Sequence, residues 1–84
     1  MIDSSEAMRL NGKKVSFTVL MQEAPPEFQK YSVSGHVVGL VLPAGAEGPL
    51  KLQFLIREFG WSSVPPHGYH CEVFAEDVIE YQVS

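Results

Sequence analysis

The strongest pattern in the chain is an alternation of apolar and polar side chains between Lys13 and Gln22. A period of two residues is typical of a β-strand with one buried and one exposed side. Four apolar residues form the buried side: Val15, Phe17, Val19 and Met21. The other side is polar except at Leu20. The alternation therefore predicts a first strand, which ends before Pro25 and Pro26 because prolines cannot donate hydrogen bonds to a sheet.

The longest β-prone run extends from Tyr31 to Leu42 and contains Gly35 and Gly39. A straight strand of this length would span about 40 Å, which is too long for so small a domain. After Gly35, apolar residues occupy both sides of the run: Val37 and Val41 on one, and Val38, Leu40 and Leu42 on the other. The run therefore predicts a strand with a bulge or kink at Gly35 or Gly39, so that its two halves serve different parts of the core.

Three further strands follow from shorter patterns. Leu50, Leu52, Phe54 and Ile56 alternate with other residues and predict a third strand that ends near Gly60. The segment Cys71–Phe74 predicts a short fourth strand, and residues 78–83 predict a closing strand. A tight turn separates these two strands, and it predicts one 3-10 turn near residues 75–78. Loops rich in proline and glycine connect the strands at residues 23–27, 43–49 and 61–69.

The N-terminal residues carry a weaker helical signal. Asp3 can cap a turn, and Glu6 stands three positions later, as in a capping box. We expect at most one short helical turn there, within a flexible segment of residues 1–11. Residues 12–84 then form one domain, because 84 residues bury only about 60 to 65% of their unfolded surface in one small core. The predicted fold class is all-β: a single, strongly bent, five-stranded antiparallel barrel.

The order of these elements resembles that of the small Src-homology-3-like (SH3-like) and Sm-like barrels. The resemblance extends over residues 12–83 and lies in strand lengths, in the glycine-interrupted second strand and in the one-turn break of the segment EVFAEDVIEYQV. It implies the barrel fold. It implies no activity, since such barrels support unrelated functions.

Charge and cysteine content narrow the classes of function. Six Lys and Arg against ten Asp and Glu give a formal net charge of −4, which opposes the electrostatic attraction to nucleic acid. The single cysteine, Cys71, cannot form an intramolecular disulfide and suits a reducing cytoplasm. No signal peptide and no membrane-spanning run is apparent. We expect a cytoplasmic protein of bacterial or phage type that binds neither membrane nor nucleic acid.

One loop contains residues that could support metal binding or nucleophilic chemistry. His67, His70 and Cys71 lie within five residues and are ligands that suit zinc, but the local sequence lacks a fourth ligand. Cys71 could also be a nucleophile with His70 or His36 as its base. Adjacent residues on a strand point to opposite sides, so the sequence favours a structural cysteine. We expect no metal, no cofactor and no catalytic residue.

Apolar residues on the predicted outer side of the strands indicate an interface. A five-stranded barrel cannot bury both sides of three neighbouring strands, and exposed apolar patches usually mark an oligomer or partner interface. Together with loop aromatics, the candidate partner-binding residues are Phe28, Trp61, Phe59, Leu20, Leu40 and Leu55. A homodimer is the simplest way to cover such a patch.

Three functional hypotheses remain open. The first is a non-enzymatic binding or assembly module that self-associates through an apolar strand face and binds a protein partner. The second is a small acidic inhibitor or mimic that docks on a basic site of a nucleic-acid enzyme through Glu72, Glu76, Asp77 and Glu80. The third is an enzyme with a site shared across an oligomer interface. A basic face of Lys13, Lys14, Lys51 and Arg57 beside Phe59 and Trp61 resembles a platform for single strands, but ordinary solvated lysines explain it more simply.

Overall fold

One helix, two 3-10 turns and five strands make up the described chain. The computed structural model describes residues 2–21, 23–42 and 51–84, apart from the side chain of Phe28. The elements are helix α1 (Ser4–Leu10), strand β1 (Lys14–Leu20), a first 3-10 turn (Pro26–Phe28), β2 (Lys30–Val41), β3 (Gln53–Glu58), β4 (Cys71–Phe74), a second 3-10 turn (Ala75–Asp77) and β5 (Val78–Val83). The predicted loop at residues 43–49, Leu50 and Gln22 lie outside the described residues.

All five strands belong to one antiparallel sheet in the order β4-β3-β2-β1-β5. This confirms the mostly β fold, the five strands and the one-turn break between the last two. The consecutive strands β4 and β5 lie at opposite edges, joined by the second 3-10 turn. Within the part of the chain that the structure describes, no hydrogen-bonded ladder joins these two edges, so the sheet is not closed.

The core lies on the inner side of the sheet, where the predicted alternation holds. Phe17 pairs with Val33 across β1 and β2, and its ring centroid lies 4.9 Å from that of Phe54 on β3. Twelve apolar residues are buried in this core: Ile2, Ala7, Leu10, Val15, Phe17, Val19, Val33, Val37, Phe54, Ile56, Val73 and Ala75. Met21 was predicted to continue the buried side, but β1 ends at Leu20 and the side chain of Met21 is exposed.

The second strand is bent as its glycines predicted. The register with β3 shifts between Val37 and Gly39, which leaves Val38 as an extra, exposed residue. This bulge reverses the alternation, so that Leu40 pairs with Phe54 and packs against the core. The prediction that Leu40 lies on the outer side is therefore wrong, because an added residue exchanges the two sides of a strand.

Helix α1 is longer than the sequence predicted. It has seven residues, about two turns, where we expected at most one. The side chain of Asp3 accepts a hydrogen bond from the backbone N–H of Glu6, at 2.8 Å, as the capping pattern predicted. Ala7 and Leu10 share the buried side of the helix and join the core, which stabilises the second turn. The flexibility of residues 1–11 stays a prediction.

The described helix is also short in relation to a bilayer. None of the helical segments in residues 2–21, 23–42 and 51–84 is long and apolar enough to cross a membrane.

Candidate partner-binding site

A depression of about 420 Å³ opens where β1 ends and β2 begins. The β1–β2 ladder pairs Val19 with Tyr31 at this end of the sheet, and Leu20 is the last residue of the ladder. On the opposite wall, Phe74 ends β4 and the second 3-10 turn follows it. The depression thus lies between one end of the β1–β2 ladder and the segment where edge strand β4 passes into the second 3-10 turn.

Four apolar or aromatic side chains line this depression: Leu20, Met21, Tyr31 and Phe74. Met21, Tyr31 and Phe74 remain 47%, 38% and 39% exposed, so their apolar surface is accessible to a partner. Burial, with smaller effects of Cys71 and Asp77, raises the pKa of Tyr31. The phenol is therefore neutral at physiological pH and can donate or accept a hydrogen bond at the wall of the depression.

Three carboxylates complete the lining: Glu23 from the β1–β2 connection, and Glu76 and Asp77 from the second 3-10 turn. Lys51 Nζ lies 2.8 Å from Glu76 Oε1, and this is the only ion pair among the described residues. Both side chains are largely exposed, and exposed ion pairs contribute little to stability. One ammonium beside three carboxylates leaves the depression negatively charged.

The predicted acidic face is divided among three places. Glu76 and Asp77 line the depression described above. Glu80 lines a second depression of about 370 Å³ between α1 and β5, which also contains Glu6 and Tyr81. The Tyr81 hydroxyl donates a hydrogen bond to Glu6, and this bond, with burial, raises the pKa of Tyr81.

Glu72 lies apart from the other three carboxylates. It pairs with Leu55 across β3 and β4, and it accepts a hydrogen bond from the Tyr69 hydroxyl at 3.1 Å. That bond is the main reason why the pKa of Tyr69 is raised. Glu72 therefore lies on β4, bonds to the loop at residues 61–70 through Tyr69, and lines neither of the two depressions described here.

His70 has a structural role in the same loop. Its Nδ1 atom accepts a hydrogen bond from the backbone N–H of Glu58 at 3.1 Å, and Nε2 lies 2.9 Å from the carbonyl oxygen of Ser63. A backbone N–H can only donate, so Nδ1 is unprotonated and Nε2 donates to Ser63. Both ring nitrogens are occupied by the backbone, and neither has a lone pair free for a metal or for the proton of Cys71.

Cys71 is placed as a structural residue rather than as a nucleophile. It pairs with Ile56 on the inner side of the sheet and packs against the core. Burial, followed by the negative charges of Glu58 and Glu72, raises the pKa of the Cys71 thiol to about 11. The ring of His67 instead contacts the edge of Tyr69, at a centroid distance of 4.3 Å. In residues 2–21, 23–42 and 51–84, no three His, Cys, Asp or Glu side chains form a metal-binding group.

The predicted partner-binding residues do not form one surface. Leu20 lines the depression, whereas Leu40 is turned toward the core and Leu55 is half-buried with Cδ1 close to Gly39. Trp61, 62% exposed, stacks on His70 with ring centroids 4.8 Å apart. Phe59, 50% exposed, meets His36 edge to face at 5.4 Å. The side chain of Phe28 lies outside the described part of the structure.

Four residues of the depression were not identified from the sequence: Met21, Glu23, Tyr31 and Phe74. The alternation placed Met21 on the buried side of the first predicted strand, and Tyr31 was only the first residue of the second. The signal that could have found them is their position at strand ends, next to a proline loop and a one-turn break. No protein-family model, no curated protein and no solved structure matches this chain, so the functional argument rests on the geometry of the site.

Proposed function

We propose that the protein is a non-enzymatic binding module that takes a basic side chain of a protein partner into the carboxylate-lined depression. The observation that carries this proposal is the combination of accessible aromatic walls with an excess of negative charge. The apolar stem of a Lys or Arg side chain packs against Tyr31 and Phe74, while its cationic head meets Glu23 and Asp77. Cation–π attraction to the aromatic rings adds to this preference.

The size of the depression supports a side chain or a short segment as the occupant. Its volume of about 420 Å³ falls in the range of roughly 300–1,000 Å³ that ligand pockets have. The mimic hypothesis requires one continuous acidic face, whereas Glu72 and Glu80 lie away from Glu76 and Asp77. This division favours recognition in a depression over mimicry by a surface.

Two features of the 61–71 region support a binding role over an enzymatic one. The Cys71 thiol stays protonated at neutral pH because its pKa is raised, and a protonated thiol is a poor nucleophile. The nitrogens of His70 are held by backbone groups. An enzyme with a site shared between copies remains the third hypothesis. The single half-buried thiol also supports our proposal of a reducing, cytoplasmic location.

We also propose that the sheet curls into an SH3-like barrel. The strand order β4-β3-β2-β1-β5 supports this, as does the short 3-10 turn that carries the chain from one edge strand to the other. In such a barrel, curling of the sheet brings the start of β2, with Tyr31, near Phe74 at the end of β4.

A peptide titration tests the binding proposal. The probe is a neutral-ended hexapeptide with two arginines, and its control has glutamine in their place. We expect the arginine peptide to shift the amide resonances of Tyr31, Phe74 and Asp77. Its affinity should fall steeply as the salt concentration rises. Asp77→Asn should reduce the affinity of the protein for the arginine peptide about tenfold, because the contact between the Asp77 carboxylate and the arginine is lost.

Glu80→Asn provides the matched control, since it removes a carboxylate from the other depression. This variant should leave the affinity unchanged. Equal binding of the glutamine peptide, or equal losses from Glu80→Asn and Asp77→Asn, would contradict the proposal.

A further inference from the structure

Three nitrogen-bearing side chains lie in one row across the sheet. The β1–β2 ladder pairs Lys14 with His36, and the β2–β3 ladder pairs His36 with Arg57. All three lie on the outer side, since their neighbours Val15, Val37 and Ile56 are buried on the inner side. We call Lys14, His36 and Arg57 the basic row. Its existence depends on strand register, because the three residues are far apart in the sequence.

The basic row is not neutralised within the described chain. Lys14 and Arg57 are exposed, and neither makes an ion pair with another described residue. Lys14 and Arg57 lie on either side of His36, two strand spacings or about 10 Å apart. Two unpaired cations so placed form one positively charged surface that attracts an anionic partner.

The surroundings of the basic row form a flat, partly apolar surface. Phe59 follows β3, and its exposed ring contacts His36, the middle residue of the row. Beside the row, the hydroxyls of Ser16 and Ser34 are hydrogen-bonded to each other at 2.9 Å. These small side chains project little from the sheet. A partner that fits here presents carboxylates together with apolar side chains.

We propose that the basic row docks into the carboxylate-lined depression of a second copy of this chain, so that copies associate head to tail. The inference rests on the proposed function, because the same depression takes the basic side chains. The two surfaces are complementary in charge, because Arg57 and Lys14 face Glu23, Glu76 and Asp77 of the other copy. Phe59 meets the apolar walls of that depression.

The proposed contact joins two different surfaces that lie at opposite ends of β1. The basic row includes Lys14, the first residue of β1, and the depression includes Leu20, its last residue. At about 3.3 Å per residue, these points are about 20 Å apart. One copy therefore cannot cover its own depression, and a copy that uses its basic row still has a free depression. Such heterologous contacts produce closed rings or open filaments rather than simple twofold dimers.

Two single variants that each disable one surface provide the test. Arg57→Gln disables the basic row and Asp77→Asn disables the depression, and neither substitution creates a charge that the other could attract. In sedimentation velocity at low salt, the natural protein should grow in size with concentration, and each variant alone should associate about tenfold more weakly or not at all. An equimolar mixture of the two variants should form dimers and stop there, because each retains one functional surface of the complementary kind.

Two matched controls change the same charges elsewhere. Arg9→Gln on α1 and Glu80→Gln on β5 should assemble as the natural protein does. A natural protein that stays monomeric at high concentration and low salt would overturn the inference, as would a mixture that forms no dimers. So would a monomer that binds a single-stranded oligonucleotide through Arg57 and Phe59.

The two proposals can fail separately. A monomeric protein that still binds the arginine peptide in an Asp77-dependent manner retains the proposed function and rejects the second copy as partner. A protein that forms the mixed dimer but does not bind the peptide supports the head-to-tail contact and contradicts recognition of an independent basic segment.

Discussion

The inner and outer sides of β1, β2 and β3 follow different rules, although they belong to the same strands. The inner side consists of buried Val, Ile and Phe residues whose only shared requirement is to be apolar and to fit. The outer side combines hydroxyl groups, the basic row and the exposed ring of Phe59. The inner side gives the fold its stability. The binding surface that we propose on the outer side exists only because strand register brings particular residues together.

The two sides should differ most in the free energy of unfolding that is lost when a phenylalanine on each is replaced by alanine. Phe54 is fully buried and stacks on Phe17, whereas Phe59 is half exposed. We expect Phe54→Ala to lower the free energy of unfolding by about 3–5 kcal/mol, because it removes apolar burial and leaves a cavity. Phe59→Ala should cost less than about 0.5 kcal/mol. Urea denaturation measures both, and similar losses for the two variants would contradict the comparison.

A second, smaller effect concerns the two glycines of β2. A Cβ atom at Gly35 would lie 2.3 Å from the carbonyl oxygen of Arg57, a backbone atom that cannot move without breaking the sheet. We expect Gly35→Ala to cost about 3 kcal/mol. At Gly39 the nearest atom is Leu55 Cδ1 at 3.2 Å, the end of a flexible side chain.

Gly39→Ala is therefore the matched control and should cost less than about 1 kcal/mol. Equal destabilisation by the two substitutions in urea unfolding would mean that the close approach of the β3 backbone does not account for Gly35.

These residues also show how much of the fold could be predicted from the sequence. The alternation in β1, the bend of β2 and the break between β4 and β5 follow from local periodicity and glycine positions. The inward turn of Leu40 was missed because a one-residue bulge reverses the sides of a strand, and either glycine of β2 could have marked its position. The second turn of α1 depends on packing of Ala7 and Leu10 against a core that the local pattern does not specify.

Less of the candidate site could be predicted. The depression combines strand ends, a loop and a 3-10 turn that are distant in sequence, so Tyr31 and Phe74 had no common signal. Glu76 and Asp77 were identified, but as members of an acidic face that the structure divides. The basic row required the register of two ladders, and one residue of slippage would remove it.

The edge of the sheet near β4 should show an intermediate effect. His70 accepts a hydrogen bond from Glu58, donates one to Ser63 and stacks under Trp61. We expect His70→Ala to cost about 1–2 kcal/mol, because it leaves a backbone N–H without its partner. Trp61 fluorescence should shift as the stacked ring is lost.

His67→Ala should cost less than about 0.5 kcal/mol, since its ring contacts only Tyr69 among the aromatic pairs of the described residues. If His67→Ala lowered the free energy of unfolding more than His70→Ala does, His67 rather than His70 would be the structural histidine of this loop.

The smallest effect should come from the Cys71 thiol, at the inner side of β4. Its pKa is raised from an ordinary value of 9.0 to about 11 in the folded protein, first by burial and then by Glu58 and Glu72. Between these values the folded state keeps a proton that the unfolded state releases. Stability therefore falls as pH rises from about 9 to about 11, and the thiol contributes no pH dependence below that window.

Cys71→Ala isolates this contribution from the tyrosines, whose pKa values are also raised. The difference in unfolding free energy between the natural protein and Cys71→Ala should be constant below about pH 9 and should move against the natural protein above it. Alkylation by iodoacetamide at pH 8 should be slow in the folded protein and fast in urea, because the thiolate is the reactive form. Rapid alkylation of the folded protein at that pH would mean that Cys71 is an activated nucleophile. The inner side of the sheet would then include a reactive residue as well as core side chains.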